Sequence, residues 1–502
     1  MTDLTRRDMI ALSSAAMLMP GQLHAQDSAS SGTASTPFSW KALVAQAQAL
    51  SRTPYAETPH NAAAAKIGYD ALHKAQFRPE RTLWNDQADA TGVRFFPLSN
   101  TAGQPVAINI VENGRSTPLR YDPTMFDMTP DNPVAQLGPD AGFAGFRFMN
   151  AARDADWLVF MGASYFRAAG AEKQYGLSAR AIAIDTSSKE EFPRFTTFWL
   201  ERTGADAVTV YALLDGASVT GAYRFGNGID EEGVHQNIEA ALFTRRPIAE
   251  LGLMPMTSMF WYDQAHRKLA TDWRPEIHDS DGLLVRSATG TSHFRALANP
   301  KGPHTSDFPE KSPRGFGLLQ RDRNFDHYQD DGVFYHRRPS LWATPTKALG
   351  AGKVRLYEFP TDSEYTDNVA AYWTPAKAVG GGQRIDLAYR LDWQSVEPAA
   401  QSAGKVENVL RGFSDVEGAQ PNAMRLVVDF GGLSAKTGLS VTAELKGGTL
   451  LNKAAYPILG RPGSWRAVLD VNPAGADPVD VQLSLMQGGA MVTELFHYPL
   501  LP

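Results

Sequence analysis

Phe192-Pro-Arg-Phe-Thr-Thr-Phe-Trp-Leu200, followed after a short turn by Ala207-Val-Thr-Val-Tyr-Ala-Leu-Leu214, decides the fold class. The first stretch alternates apolar and polar residues, and the second is a run of β-branched, aromatic and aliphatic residues, so both suit strands. Outward from this pair the same pattern recurs at Val106-Ala-Ile-Asn-Ile-Val111, Trp157-Leu-Val-Phe-Met161 and Ala179-Arg-Ala-Ile-Ala-Ile-Asp185. Val354 to Phe359 and Val369 to Trp373 add two more. Strands this frequent, divided by Gly, Pro and Asp turns, predict an all-β architecture, sandwich or barrel. Helical spacing is confined to Ser39–Leu50, which Ser39 can cap, and to a shorter piece from Asn61 to Ala75.

Residues 295–345 break the rhythm, being rich in Arg, Asp, Pro and Gly with few regular runs. Phe325, Tyr328, Phe334, Tyr335 and Trp342 argue against disorder, so this segment reads as a loop that covers a cleft or meets another subunit. Pro398-Ala-Ala-Gln-Ser-Ala-Gly404 reads as a linker. Beyond it Met424–Phe430, Ser440–Leu445, Trp465–Asp470 and Val481–Met486 read as short strands of an immunoglobulin-like sandwich. The expected division is a catalytic β-sandwich over 38–397, a linker over 398–404 and a small domain over 405–502.

The chain has 502 residues and a formal net charge of −6, with no basic footprint for nucleic acid and no polybasic segment for a membrane surface. It contains no Cys, which excludes disulfides, a thiolate metal site and a Cys nucleophile. Leu4-Thr-Arg-Arg-Asp-Met-Ile10 is a twin-arginine motif ahead of a short apolar region and Leu23-His-Ala25, so residues 1–25 read as an export signal and 26–37 as a disordered mature N-terminus. The expected compartment is the periplasm.

Cofactor and metal chemistry find no motif. There is no G-x-S-x-G elbow, H-E-x-x-H pair, P-loop or dinucleotide fingerprint, and the eleven His are scattered. Paired carboxylates remain. One source is Arg274-Pro-Glu-Ile-His-Asp-Ser-Asp-Gly-Leu283, which follows the aromatic run Met259-Phe-Trp-Tyr262. Its alternation suits a strand with Asp279 and Asp281 on one face, and the plain alternative is a polar strand end with surface ion pairs. The other is Pro360-Thr-Asp-Ser-Glu-Tyr-Thr-Asp-Asn368, carrying Asp362, Glu364 and Asp367 between two strands. Glycoside cleavage needs such a pair, one carboxylic acid for the leaving oxygen and one carboxylate for the attack.

The same residues carry a resemblance. Gly162-Ala-Ser-Tyr-Phe-Arg167, Gln174–Arg180, Glu191-Phe-Pro-Arg-Phe195, Thr257–Tyr262, the 274–283 stretch, Pro313–Arg323, Arg338-Pro-Ser-Leu-Trp342 and Pro360–Tyr372 resemble blocks of the periplasmic glucan biosynthesis family OpgG/OpgD (MdoG/MdoD). The resemblance spans the mature chain, and the twin-arginine signal points to the OpgD branch. It implies a galactose-mutarotase-like β-sandwich followed by an immunoglobulin-like domain. It implies action on β-1,2-glucan, with Asp279 as general base working through a relay and Asp367 as general acid. Trp261, Tyr262, Arg274, His278, Asp281, Arg314, Tyr335, Arg338, Trp342, Glu364 and Trp373 are the implied cleft residues, with no metal and no cofactor. Tyr335 is expected on a loop that reaches a partner subunit of a homodimer. Inverting hydrolysis and transglycosylation, including cyclisation, both stay open. A different class also stands: a non-catalytic glucan-binding protein that organises the membrane glucan synthesis machinery. A mutarotase-like epimerase has fold analogy alone behind it.

Overall fold

The structure, a computed structural model, describes residues 35–87, 89–398, 404–435 and 437–501. The twin-arginine motif, the signal segment and most of the expected N-terminal tail and linker lie outside the described residues. The chain is all-β. Its backbone gathers into two compact units, one holding the described residues up to Pro255 with Thr374–Gln394, the other Met256–Trp373 with the described residues from Ser395 onward.

In the first unit the two deciding stretches form Arg194–Arg202 and Ala207–Asp215, an antiparallel pair. Their sheet runs, in spatial order, Thr36–Pro37, Arg115–Leu119, Ala107–Glu112, Arg194–Arg202, Ala207–Asp215, Val219–Asp230, Gly233–Thr244 and Arg384–Gln394. Ala107–Glu112 beside Arg194–Arg202 is its parallel pair. A second sheet holds Ser178–Arg180, Tyr165–Ala168, Asp156–Met161, Gly145–Met149 and Gly92–Phe96. Phe146 and Phe160 of the second sheet meet Phe198 and Phe225 of the first with ring centroids 5.0 and 5.1 Å apart, so the two inner faces share one aromatic core. At the Val219–Asp230/Gly233–Thr244 hairpin, Asp230 accepts from the amides of Glu232 and Gly233, at 2.9 and 3.2 Å. Gly233 has φ 138°, and a Cβ there would lie 2.1 Å from the Trp393 carbonyl oxygen.

The expected helix forms as Trp40–Leu50, with the Ser39 hydroxyl accepting from the Ala42 amide at 3.2 Å. Leu43 and Ala47 bury its inner face against Trp199, Tyr211 and Phe243. The second helical piece is interrupted. A 3-10 turn at Ala64–Lys66 and a short helix at Tyr69–His73 are separated by Gly68, whose extended backbone starts the second. The 179–185 strand is likewise split into Ser178–Arg180 and Ala183–Ile184.

In the second unit a sheet runs Ser340–Pro345, Gly315–Leu319, Gly282–Arg286, Ser292–Ala296, Leu495–Leu500, Val479–Gln487 and Ser440–Lys446. Leu495–Leu500 joins Ser292–Ala296 in parallel. Lys405–Phe413, Met424–Gly431, Trp465–Pro473 and Gly448–Pro457 form the facing sheet. Leu426, Phe430, Trp465 and Leu469 pack with Val481, Leu483 and Phe496 in a common core that also takes in Phe294, Leu319 and Trp342. The 295–345 segment is not one long loop. It contains the strands His304–Lys311, Gly315–Leu319 and Ser340–Pro345, and irregular backbone is concentrated between Gln320 and Pro339.

Candidate active site

The site is built around a short antiparallel pair, Phe260–Tyr262 with Ile277–His278, in the second unit. On one side of the Met259–Phe260 segment, the Asp279 amide donates to the Met259 carbonyl at 2.8 Å. On the other, Asn368 clamps Phe260 at both ends: its Oδ1 accepts from the Phe260 amide at 2.8 Å and its Nδ2 donates to the Phe260 carbonyl at 3.0 Å. Asp367, one residue earlier, accepts from the Thr257 hydroxyl at 3.1 Å. Asp279 and Asn368 are thereby both tied to the Met259–Phe260 segment. Asp279 and Asp367 are 5% and 8% exposed. Alternation predicts Asp279 and Asp281 on one face of a continuing strand, but the strand stops at His278 and the chain bends through 279–281. Asp279 then meets Arg338, while Asp281 accepts from the backbone amides of Arg321 and Asp322.

Arg338 donates to Asp279 through Nη1 and lays its guanidinium 3.9 Å from the Tyr335 ring centroid. Burial pulls the Arg338 pKa down, but Asp279 and Tyr335 outweigh it and raise it overall. Thr257 offers Asp367 a hydroxyl. From Tyr335 the network continues: its hydroxyl donates to Glu364 at 2.6 Å, and Glu364 takes two bonds of 3.0 Å from Arg274. Arg274 also donates to Asp330 at 2.7 Å and twice to Asp272 at 3.0 Å. Asp330 in turn accepts from the amides of Gly332 and Val333, shaping the turn before Tyr335 and Arg338.

Behind Asp279 lies a fully buried His278. Gln320 donates through Nε2 to the carbonyls of His278 and Tyr335, at 3.0 and 3.1 Å, which turns its Oε1 towards His278 Nδ1 at 3.1 Å. Nδ1 therefore carries a proton. Nε2 faces Glu276 at 3.0 Å. Burial lowers the His278 pKa, but the Glu276 hydrogen bond and the charges of Asp281 and Asp263 prevail and lift it to about 9. Burial pushes Glu276 up as well. The pair holds one proton between Nε2 and Oε2, and we assign it to His278, whose other nitrogen is already a donor.

Of the other residues expected in the cleft, Tyr262 is fully buried and donates to the Arg274 carbonyl at 3.1 Å. Trp261 is half-buried, with its ring 5.2 Å from that of Tyr262. Tyr335 is 1% exposed, its hydroxyl committed to Glu364 of its own chain. Trp373 is buried, and its indole nitrogen has no hydrogen-bond partner among the described residues. Two residues stand apart from the network. Trp342 packs over Gly315 and Gly317 in the core of the unit. Arg314 is exposed at the start of the Gly315–Leu319 strand, about 20 Å along the strand direction from Gln320.

Other residues, not singled out from the sequence, complete the site: Thr257, Gln320 and Asn368 lie within the quoted blocks, and Asp330 lies outside them. Thr257, Gln320, Asp330 and Asn368 supply the hydrogen bonds described above. Trp273 and Tyr365, 70% and 61% exposed, flank Arg274 and Glu364, which are themselves joined by two hydrogen bonds. The two exposed rings offer apolar faces of the kind that the C–H face of a pyranose stacks on. A hint of Trp273 was present in the sequence: it stands in the polar run Thr271-Asp-Trp-Arg274 with no periodic apolar neighbours.

Buried carboxylates, two arginines that hold carboxylates and exposed aromatic rings are features that carbohydrate-handling sites share. Residues 38–500 match the family described as periplasmic glucan biosynthesis protein, MdoG, and the chain belongs to that family. It is 40% identical over 530 residues to glucans biosynthesis protein D 1 of Ralstonia nicotianae, covering 99% of this chain and 98% of that protein. Glucans biosynthesis protein D 2 of the same organism is 40% identical over 93% of this chain and 91% of its own length. Glucans biosynthesis protein D of Xanthomonas campestris is 39% identical over 93% of this chain and 91% of its own length. A solved galactose mutarotase related enzyme from Lactobacillus acidophilus aligns at 9% identity, over 51% of this chain and 92% of its own, with a TM-score of 0.23, too low to bear on the reading. Membership assigns the chain to periplasmic glucan biosynthesis. No helix among the described residues is long and apolar enough to cross a membrane.

Proposed function

We propose that the protein acts on the backbone of β-1,2-glucan, either hydrolysing it internally with inversion or transferring the cut chain, with Asp367 as general acid and Asp279 as general base. The observation that supports the reading is the pair of buried carboxylates at residues 279 and 367, both held to the 257–260 segment, with Asp367 accepting from the Thr257 hydroxyl and Asp279 bound by Arg338. Glycoside cleavage uses such a pair, one carboxylic acid for the leaving oxygen and one carboxylate for the attack.

In this mechanism Asp367 gives its proton to the leaving glycosidic oxygen. Asp279 receives a proton from the attacking oxygen. Arg338 occupies one oxygen of Asp279, so a relay through a water or a sugar hydroxyl fits better than direct contact. When the attacking oxygen is water the outcome is hydrolysis, and when it is a glucan hydroxyl the outcome is transfer. Arg274, Glu364 and Tyr335 position Arg338 and the 360–368 segment, and Trp273 and Tyr365 present stacking surfaces. Export by the Arg6-Arg7 signal is part of the same reading.

The test is product analysis of purified protein with linear β-1,2-glucan by mass spectrometry. Short oligosaccharides mark hydrolysis, and products lighter than linear glucan by one water mark cyclising transfer. Glucan that keeps its length and topology refutes catalysis and leaves the binding and assembly role.

A further inference from the structure

Next to the segment that carries Asp279 is a small cavity of about 40 Å³, whose polar lining includes Asp263, Glu276, Asp281, Arg321, Asp322 and Glu407. This volume is large enough for an ion or a water. Most of these charges are spent elsewhere. Asp263 pairs with His266 at 2.6 Å, Asp281 accepts from two backbone amides, and Glu407 accepts from Ser464 at 3.2 Å. Arg321 is bound by Glu397 and Glu494 at 3.1 and 2.7 Å. Glu276 is the exception. It is 3% exposed, Oε2 meets His278, and Oε1 has no hydrogen-bond partner among the described residues. A buried carboxylate oxygen left without a donor is strongly unfavourable, so the site calls for a cation or a donor at that position.

A donor set for a cation stands beside it. One ligand atom each from Glu276, Asp322 and His327 lie within 4.8 Å of one another. Asp322 Oδ2 and His327 Nδ1 are 2.5 Å apart, and Asp322 Oδ1 accepts from the Asn324 amide at 2.9 Å. His327 sits on the one-turn helix Phe325–Tyr328, its side chain 37% exposed. We propose that Glu276, Asp322 and His327 bind a single divalent cation of the zinc or manganese type. Two carboxylates and an imidazole suit a borderline transition metal, whereas calcium takes six or more oxygens. Tetrahedral ligands at about 2.1 Å from a metal lie about 3.4 Å apart, so the half-exposed His327 ring draws back from Asp322 by about 1 Å to admit the metal. The Nε2–H tautomer frees Nδ1 to exchange its contact with Asp322 for the metal. The cation ties the Glu276–Asp281 stretch to the 320–328 segment from behind. Its role is structural, and the inference does not depend on the glucan reaction.

The test uses the untagged full chain, stripped with EDTA and titrated separately with Zn²⁺, Mn²⁺ and Ca²⁺ by calorimetry, with thermal unfolding in parallel. One equivalent of Zn²⁺ or Mn²⁺ with a rise in Tm is expected. His327→Ala, a partly exposed change that leaves the core intact, is expected to weaken binding about tenfold or more and to remove most of the rise. Three results overturn the proposal: substoichiometric binding of Zn²⁺ and Mn²⁺, as when a water satisfies Glu276; binding of Ca²⁺ alone; or His327→Ala binding as the unaltered chain does.

Discussion

Replacing Arg274 by Met tests the arginine–carboxylate wall of the site. The guanidinium makes two bonds to Asp272, two to Glu364 and one to Asp330, all between 2.7 and 3.0 Å. The three carboxylates are not equally buried: side-chain exposure is 5% for Asp330, 19% for Glu364 and 25% for Asp272. Met keeps the aliphatic bulk but strands a buried charge at Asp330, and removing one member of a buried ion pair costs about 3–5 kcal/mol. Glu364 and Asp272 are partly hydrated and add less. In a unit of this size each kcal/mol moves Tm by about 2–4 °C, so Arg274→Met is expected to lower it by about 6–20 °C. Thermal unfolding followed by circular dichroism at pH 7 reads the shift. Adding Asp330→Asn to Arg274→Met removes the stranded charge and is expected to recover part of the loss, which a double-mutant cycle quantifies. A shift under about 2 °C for the single variant, or no recovery in the double, refutes the electrostatic reasoning.

Two further outcomes are expected. Trp273→Ala, a change at a 70% exposed ring, leaves Tm within about 2 °C but weakens glucan binding about fivefold to tenfold, roughly 1–1.4 kcal/mol, read by calorimetry with β-1,2-glucan. His497 is pushed down to about 3 by burial, reinforced by His293 and Arg295; the unfolded imidazole takes up a proton below about 6.5, so stability present above that pH is lost as pH falls towards 3, and His497→Gln is expected to flatten the Tm-against-pH profile between pH 7 and 5.

The strands were legible because their buried faces repeat locally. Phe195, Phe198 and Leu200 announce Arg194–Arg202, and Ser39 announces the helix that follows it. His304–Lys311 was not legible, because only Phe308 is buried in it and the rest is a polar edge paired with Ala351–Glu358. The parallel addition of Leu495–Leu500 to Ser292–Ala296 joins residues some 200 apart, and nothing local encodes such a pairing. At the site, the family-matching blocks marked Asp279, Asp367, Arg338 and Glu364, but spacing alone does not say that Arg338 binds Asp279 or that Asn368 clamps Phe260. The bend after His278 was hidden for a similar reason. It is imposed by the Met259 carbonyl and by the amides of Arg321 and Asp322, all distant in sequence from Asp279 and Asp281. Glu276, Asp322 and His327 match no metal spacing, and only the fold brings them together.

The central claim is that Asp367 supplies the proton for cleavage of β-1,2-glucan. The direct measurement is the rate of chain shortening or cyclisation of linear β-1,2-glucan by the unaltered protein and by Asp367→Asn, read by mass spectrometry, with Tm recorded for both. Asn keeps an acceptor for Thr257 but has no acidic proton, so the rate is expected to fall by about 10²-fold or more while Tm and glucan binding persist. An Asp367→Asn variant that processes the glucan at the unaltered rate contradicts the account.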